Sequence, residues 1–121
     1  MKKILIVDDE PNILISLEFL LSKGGYQVFV ARDGTEALEL IKKEAPDMVI
    51  LDVMMPNVDG YDVCQYIRSQ EVYQHMKVIF LSAKSKQEDI EKGLQMGANL
   101  YLTKPFSTRN LIKEIKLLAE Q

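Results

Sequence analysis

The chain has 121 residues, 47% of them apolar, with a formal net charge of −3 and one cysteine. That length holds one domain with a full core and is too short for two. The lone Cys64 excludes an internal disulfide or a cysteine-built metal site, and the scattered Lys and Arg argue against a phosphate-neutralising nucleic-acid surface.

In chain order, residues 4–7 (Ile4, Leu5, Ile6, Val7) form an apolar run that ends in Asp8, Asp9 and Glu10. A continuous apolar run closed by a charge is the pattern of a parallel strand, covered on both faces, that delivers one side chain to the sheet edge. The same acids interrupt the N-terminal stretch too soon for a secretory signal, and no tract is long enough to span a bilayer, so a cytoplasmic protein is expected. Ile13, Leu14, Leu17, Leu20 and Leu21 share one helical face, which stops at Gly24 and Gly25, where glycine can take the left-handed conformation. Val28 and Val30 mark a second strand. Gly34 opens a helix buried through Ala37, Leu38 and Ile41, closely followed by Pro46.

Residues 48–51 are the third apolar run and lead to Asp52. Pro56, Asn57 and Gly60 then make a loop before a helix over 59–69, in which Cys64 packs among Tyr61, Tyr66 and Ile67. His75 falls in a polar stretch and is expected on a surface loop. Residues 78–81 form the fourth run and end at Ser82. Ser85 and Glu88 have the capping-box spacing, which predicts a helix starting there and stopping near Gly97. Residues 100–102 lead to Lys104 and Pro105, and Ser107 caps a last helix with Leu111, Ile112, Ile115 and Leu118 inward. Five runs alternating with five helical patterns predict a single α/β domain over 1–121 with a parallel sheet, and no effector domain is expected within these residues.

The charged ends of these strands converge. Strands one and three of a doubly wound sheet lie side by side where the chain reverses direction, and ligands bind in that crevice. Alone, the acid pair would read as a cap on the next helix, Ser82 as strand termination and Lys104 as a surface lysine before a turn. Together, three carboxylates repel one another unless a cation holds them, and a hard divalent ion, Mg2+, suits an all-oxygen cluster. Asp52, alone after its strand, is the expected nucleophile, able to attack phosphorus and become an aspartyl phosphate. Asp9 would bind the metal directly and Asp8 directly or through water, with the backbone carbonyl of Met54 adding an oxygen. The Lys104 ammonium and the Ser82 hydroxyl suit phosphoryl oxygens. Pro105 suggests a tight turn, with a cis peptide as a candidate.

With those residues in place, the chain resembles the receiver domain of bacterial two-component response regulators. The likeness runs over essentially its whole length: Ile6-Val7-Asp8-Asp9-Glu10, Leu51-Asp52-Val53-Met54-Met55-Pro56 with Gly60, Leu81-Ser82-Ala83, and Tyr101-Leu102-Thr103-Lys104-Pro105-Phe106. It implies a flavodoxin-like (βα)5 fold with strand order 2-1-3-4-5 and helices on both faces. It also implies Asp52 as phosphoacceptor, Asp8 and Asp9 as the acid pair, Lys104 as the lysine, and a cis Lys104–Pro105 peptide. Mg2+ would be the cofactor, and a histidine kinase, phosphotransfer protein or small acyl phosphate the donor. Ser82 would move toward the phosphoryl group while Tyr101, otherwise a half-buried strand residue, turns inward. That would change the face of helix four, strand five and helix five for a downstream protein or a missing effector domain.

Such a domain catalyses its own phosphorylation and dephosphorylation without turning over an external substrate. Met54 and Lys84, each two positions past a site residue, would flank the path of water to the phosphoryl group. The winged-helix branch of the family often carries an acidic pair before the switch aromatic; Asn99-Leu100 stands here instead, so a monomer or weak phosphorylation-dependent dimer is expected. Three other readings compete. A flavodoxin-type FMN carrier is opposed by the acids after strand one. A haloacid-dehalogenase-like phosphatase would want a second acid where Met54 stands. An unphosphorylated receiver-like scaffold, acting only as a binding module, would need no filled site.

Overall fold

The computed structural model describes residues 2–121. Its strands are β1 (Lys3–Val7), β2 (Gln27–Ala31), β3 (Met48–Leu51), β4 (Lys77–Ser82) and β5 (Leu100–Thr103), and its helices are α1 (Pro11–Lys23), α2 (Gly34–Glu44), α3 (Gly60–Ser69), α4 (Gln87–Gln95) and α5 (Thr108–Ala119). The strands form one parallel sheet in the order β2-β1-β3-β4-β5. This is the flavodoxin-like doubly wound arrangement expected from the sequence. The register aligns the strand ends: Val7 lies opposite both Ala31 and Leu51, Leu51 opposite Phe80, and Ser82 opposite Thr103.

The period-2 geometry of the strands sorts the core into two layers. Leu5, Val49, Leu51, Val78 and Phe80 point to one face, where Ala37 and Ile41 of α2 and Val63 and Ile67 of α3 cover them. Ile4, Ile6, Ile50, Ile79 and Leu81 point to the other, under Leu14, Leu17 and Leu21 of α1 and Leu111 and Ile115 of α5. Because β1, β3 and β4 are covered on both sides, residues 4–7, 48–51 and 78–81 within them are uninterruptedly apolar, which is why their sequences show no alternation. Cys64 is fully buried in the first layer, and burial pushes its thiol pKa up.

One helix start differs from expectation. Ser85 does not cap α4; the helix begins at Gln87 with Lys86 in the cap position and no side-chain cap bond. The capping box is instead at α3, where Asp59 Oδ1 accepts from the Asp62 amide at 2.9 Å and Asp62 Oδ2 from the Asp59 amide at 3.1 Å. A carboxylate fills both roles there, so the Ser/Thr–Glu spacing does not reveal it. A 3-10 turn, Glu71–Tyr73, precedes β4 without a periodic signal. Asn99, in place of an acidic residue, has a fixed task. Its Oδ1 accepts from the Val78 amide at 2.8 Å and from Arg68 Nη2 at 3.1 Å, while Arg68 Nε donates to the Gly97 carbonyl at 2.9 Å. α3 is thereby tied to the entry of β5.

Candidate functional site

The site forms where β1, β3, β4 and β5 end. Asp8 follows β1 and is 2% exposed, and Asp52 follows β3 and is 6% exposed. Their backbone amides hold them in line with the sheet, Asp8 donating to the Ala31 carbonyl and Asp52 to the Val7 carbonyl, both at 3.1 Å. Each carboxylate then accepts a backbone N–H two residues on: Asp8 Oδ1 from Glu10 at 2.9 Å, and Asp52 Oδ1 from Met54 at 3.3 Å. These local bonds leave Oδ2 of both acids facing a common point. Gly60 fixes the floor of the loop beneath them. A Cβ there would collide with the Asp52 carbonyl oxygen and lie 2.9 Å from Val53 Cα, so only glycine permits this approach.

Lys104 occupies the common point. Its Nζ donates to Asp8 Oδ2 at 2.9 Å, to Glu10 Oε1 at 3.1 Å and to Asp52 Oδ2 at 3.2 Å. It arrives from β5 at the Lys104–Pro105 peptide, which is cis. Burial works to lower the Lys104 pKa, but the hydrogen bond it donates to Asp8, the charges of Asp52 and Asp8 and the bond to Glu10 overturn it, leaving the amine well above the ordinary lysine value. Asp8 shows the opposite balance: burial raises its carboxyl above the ordinary value, and the Lys104 and Glu10 hydrogen bonds offset this only in part. The site is thus an acidic pocket with more negative charge than one ammonium neutralises.

Asp9 is exposed at its rim, and one carboxylate oxygen from each of Asp8, Asp9 and Asp52 lies within 4.8 Å of the others. Three carboxylate oxygens this close together could serve one ion, and an all-oxygen donor set suits the chemistry of Mg2+. Met54 is on the rim with its side chain largely exposed.

Ser82 and Tyr101 complete the other side. Ser82 is fully buried, and its Oγ accepts from the Lys84 amide at 3.2 Å. Tyr101, half-buried on the strand pattern alone and inward-turning by the resemblance, is 8% exposed, its ring centroid 5.7 Å from that of Phe80. Its hydroxyl donates to the Lys84 carbonyl at 2.7 Å. Burial raises the phenol pKa, with the nearby Ser82 hydroxyl pulling the other way. The inward ring needs Gly93 on α4, where a Cβ would meet Tyr101 Cδ2 at 2.8 Å and Phe80 Cδ2 at 3.0 Å.

Asp8, Asp9, Asp52 and Lys104 are therefore gathered into one pocket, Ser82 and Tyr101 meet at Lys84 beside it, and Pro105 follows the lysine. Sequence reasoning missed the Glu10 contact, although Glu10 directly follows the acid pair. It also missed Gly93, whose signal, a glycine inside a helical pattern, points to close packing.

A doubly wound sheet whose switch point carries three carboxylates and one lysine defines an α/β domain with an oxygen-lined cation pocket. The chain belongs to the response regulator receiver domain family, whose family model matches residues 4–116. Solved structures agree. The receiver domain of the Francisella response regulator 1452 is 35% identical with a TM-score of 0.91, over 99% of this chain and 98% of that one. The BeF3-activated N-terminal receiver domain of RstA from Klebsiella pneumoniae is 30% identical with a TM-score of 0.91, over 99% and 100%. The chemotaxis response regulator CheY4 of Vibrio cholerae is 33% identical with a TM-score of 0.90, over 98% of both chains. Among the described residues, no helix is long and apolar enough to cross a membrane.

Proposed function

We infer that the domain is a phosphorylation-controlled switch in which Asp52 accepts a phosphoryl group. The observation that carries this reading is the position of Asp52 Oδ2, 3.2 Å from the Lys104 ammonium in a pocket where Asp8 and Asp9 supply further oxygens. An Asp52 oxygen bonds to phosphorus as the donor's bond to phosphorus breaks, and the electron pair leaves with a histidine nitrogen of a kinase or phosphotransfer protein, or with the carboxylate of an acyl phosphate. Lys104 orients the transferring group and balances its charge, and Ser82 would donate to a phosphoryl oxygen. Asp8 and Asp9, with Asp52 and the Met54 carbonyl, would hold Mg2+, which when bound shields the repulsion between carboxylate and phosphoryl group. The RstA relative in a BeF3-activated form supports this reading, because beryllofluoride on a carboxylate imitates a phosphoryl group.

Output passes through Ser82 and Tyr101 to the face of α4, β5 and α5, for a downstream protein or an effector domain. The domain modifies and clears itself and turns over no external substrate. It works in the cytoplasm, as a monomer or weak phosphorylation-dependent dimer. The test is intact-mass measurement after acetyl phosphate and Mg2+ are added. Wild type gains one phosphoryl mass and Asp52→Asn gains none. Equal gain in both would refute the assignment.

A further inference from the structure

An ammonium has three N–H donors, and in Lys104 the structure commits all three: to Asp8 at 2.9 Å, Glu10 at 3.1 Å and Asp52 at 3.2 Å. A phosphoryl oxygen can reach this amine only by displacing one of them. Asp8 is buried and held from its other oxygen by the Glu10 amide, so it is the costly bond to give up. Asp52 is the group being modified. Glu10 differs from both, with a side chain 59% exposed and therefore well solvated once released. Nor does that side chain serve the helix: Glu10 stands at the N-cap of α1 but makes no side-chain cap bond. Among the described residues its carboxylate bonds within the site to Lys104 alone.

We propose that Glu10 is a positioning residue which, in the unphosphorylated protein, occupies the Lys104 donor that a phosphoryl oxygen takes once Asp52 is modified. The proposal rests on the phosphoacceptor reading above. Glu10 holds the amine over Asp52 and, until it lets go, withholds one of its N–H groups from the incoming anion. In the transfer, the Asp52 oxygen bonds to phosphorus, the donor's carboxylate departs with the electron pair, and Lys104 keeps its three protons while one hydrogen bond passes from Glu10 to the phosphoryl group. Glu10 is thus a restraint on phosphorylation, released by the product.

E10A removes the carboxylate, while E10D keeps the charge but shortens the reach by one methylene. Both are compared with wild type by intact-mass time course, with acetyl phosphate and saturating Mg2+. Both are expected to be phosphorylated about two- to five-fold faster, the scale set by an exposed ion pair. The NMR resonance of the Lys104 ammonium is expected to differ from wild type in both unmodified variants and to coincide in all three proteins once beryllofluoride is bound. Unchanged rates overturn the proposal. So does E10D behaving as wild type while E10A accelerates, which would make Glu10 a source of field and not a contact. A resonance difference that persists with beryllofluoride also overturns it. Failure of the phosphoacceptor reading is recognisable separately, as wild type gaining no phosphoryl mass or Asp52→Asn gaining it.

Discussion

Replacing Gly93 by alanine should cost stability although alanine is the better helix former. At an exposed helix site the change would gain about 1 kcal/mol. Here the new Cβ would stand 2.8 Å from Tyr101 Cδ2, 3.0 Å from Phe80 Cδ2 and 3.2 Å from Tyr101 Cε2. Carbon atoms prefer about 3.5–4.0 Å, so the Tyr101 ring must retreat by about 1 Å or leave its slot. Overpacking of this kind costs about 1–3 kcal/mol, which leaves a net loss of about 0–2 kcal/mol after the helix gain. The retreat also strains the 2.7 Å bond from the Tyr101 hydroxyl to the Lys84 carbonyl. In a Tyr101→Ala background two of the three close contacts vanish, so the same G93A change should become stabilising. Urea denaturation of wild type, both single variants and the double variant closes the cycle, provided the m-values agree. The expected coupling is about 1–3 kcal/mol; additivity within about 0.3–0.5 kcal/mol would refute the reasoning.

Other consequences can be measured directly. Since the Asp8 carboxyl is raised by burial above its ordinary 3.8, the native state holds its proton longer than the unfolded chain, and stability must fall as pH rises from that value through the raised one. With divalent cations chelated, the urea midpoint of wild type relative to Asp8→Asn should therefore decline over the mildly acidic range. A flat or rising difference would contradict it. Lys104→Met strands two buried carboxylates and should cost about 3 kcal/mol in urea, partly recovered by Mg2+; a loss under about 1 kcal/mol would show that Lys104 is not their counter-charge. Exchanging Met54 and Lys84 should change how fast phosphoryl mass is lost after donor removal, and an unaltered rate would remove both from the path of water.

The sheet was legible because its inner strands are buried on both faces, so residues 4–7, 48–51 and 78–81 are uninterrupted apolar runs that stop at Asp8, Asp52 and Ser82. The site was legible for the same reason: each run ends on the residue it delivers. What the chain did not disclose depends on through-space encounters. Ser85 and Glu88 satisfy a local spacing rule, yet α4 starts between them, at Gln87, with Ser85 outside the cap position. Lys84 Nζ lies 3.7 Å from Asp89, a carboxylate of that helix's first turn, and no local rule registers the pair. Glu10 meets Lys104 across 94 positions of sequence, and Asn99 meets Arg68 across 31, distances no periodicity spans. The depth of Tyr101 depends on a glycine eight positions earlier, on a different element.

The meeting of Ser82 and Tyr101 at Lys84 is made of main-chain atoms, one amide and one carbonyl. Nineteen of the twenty amino acids supply that same amide, and all twenty supply the carbonyl; proline alone would cut the linkage. Evolution can therefore rewrite the side chain at position 84, and with it the chemistry around the pocket's mouth, without touching the wire that runs through it.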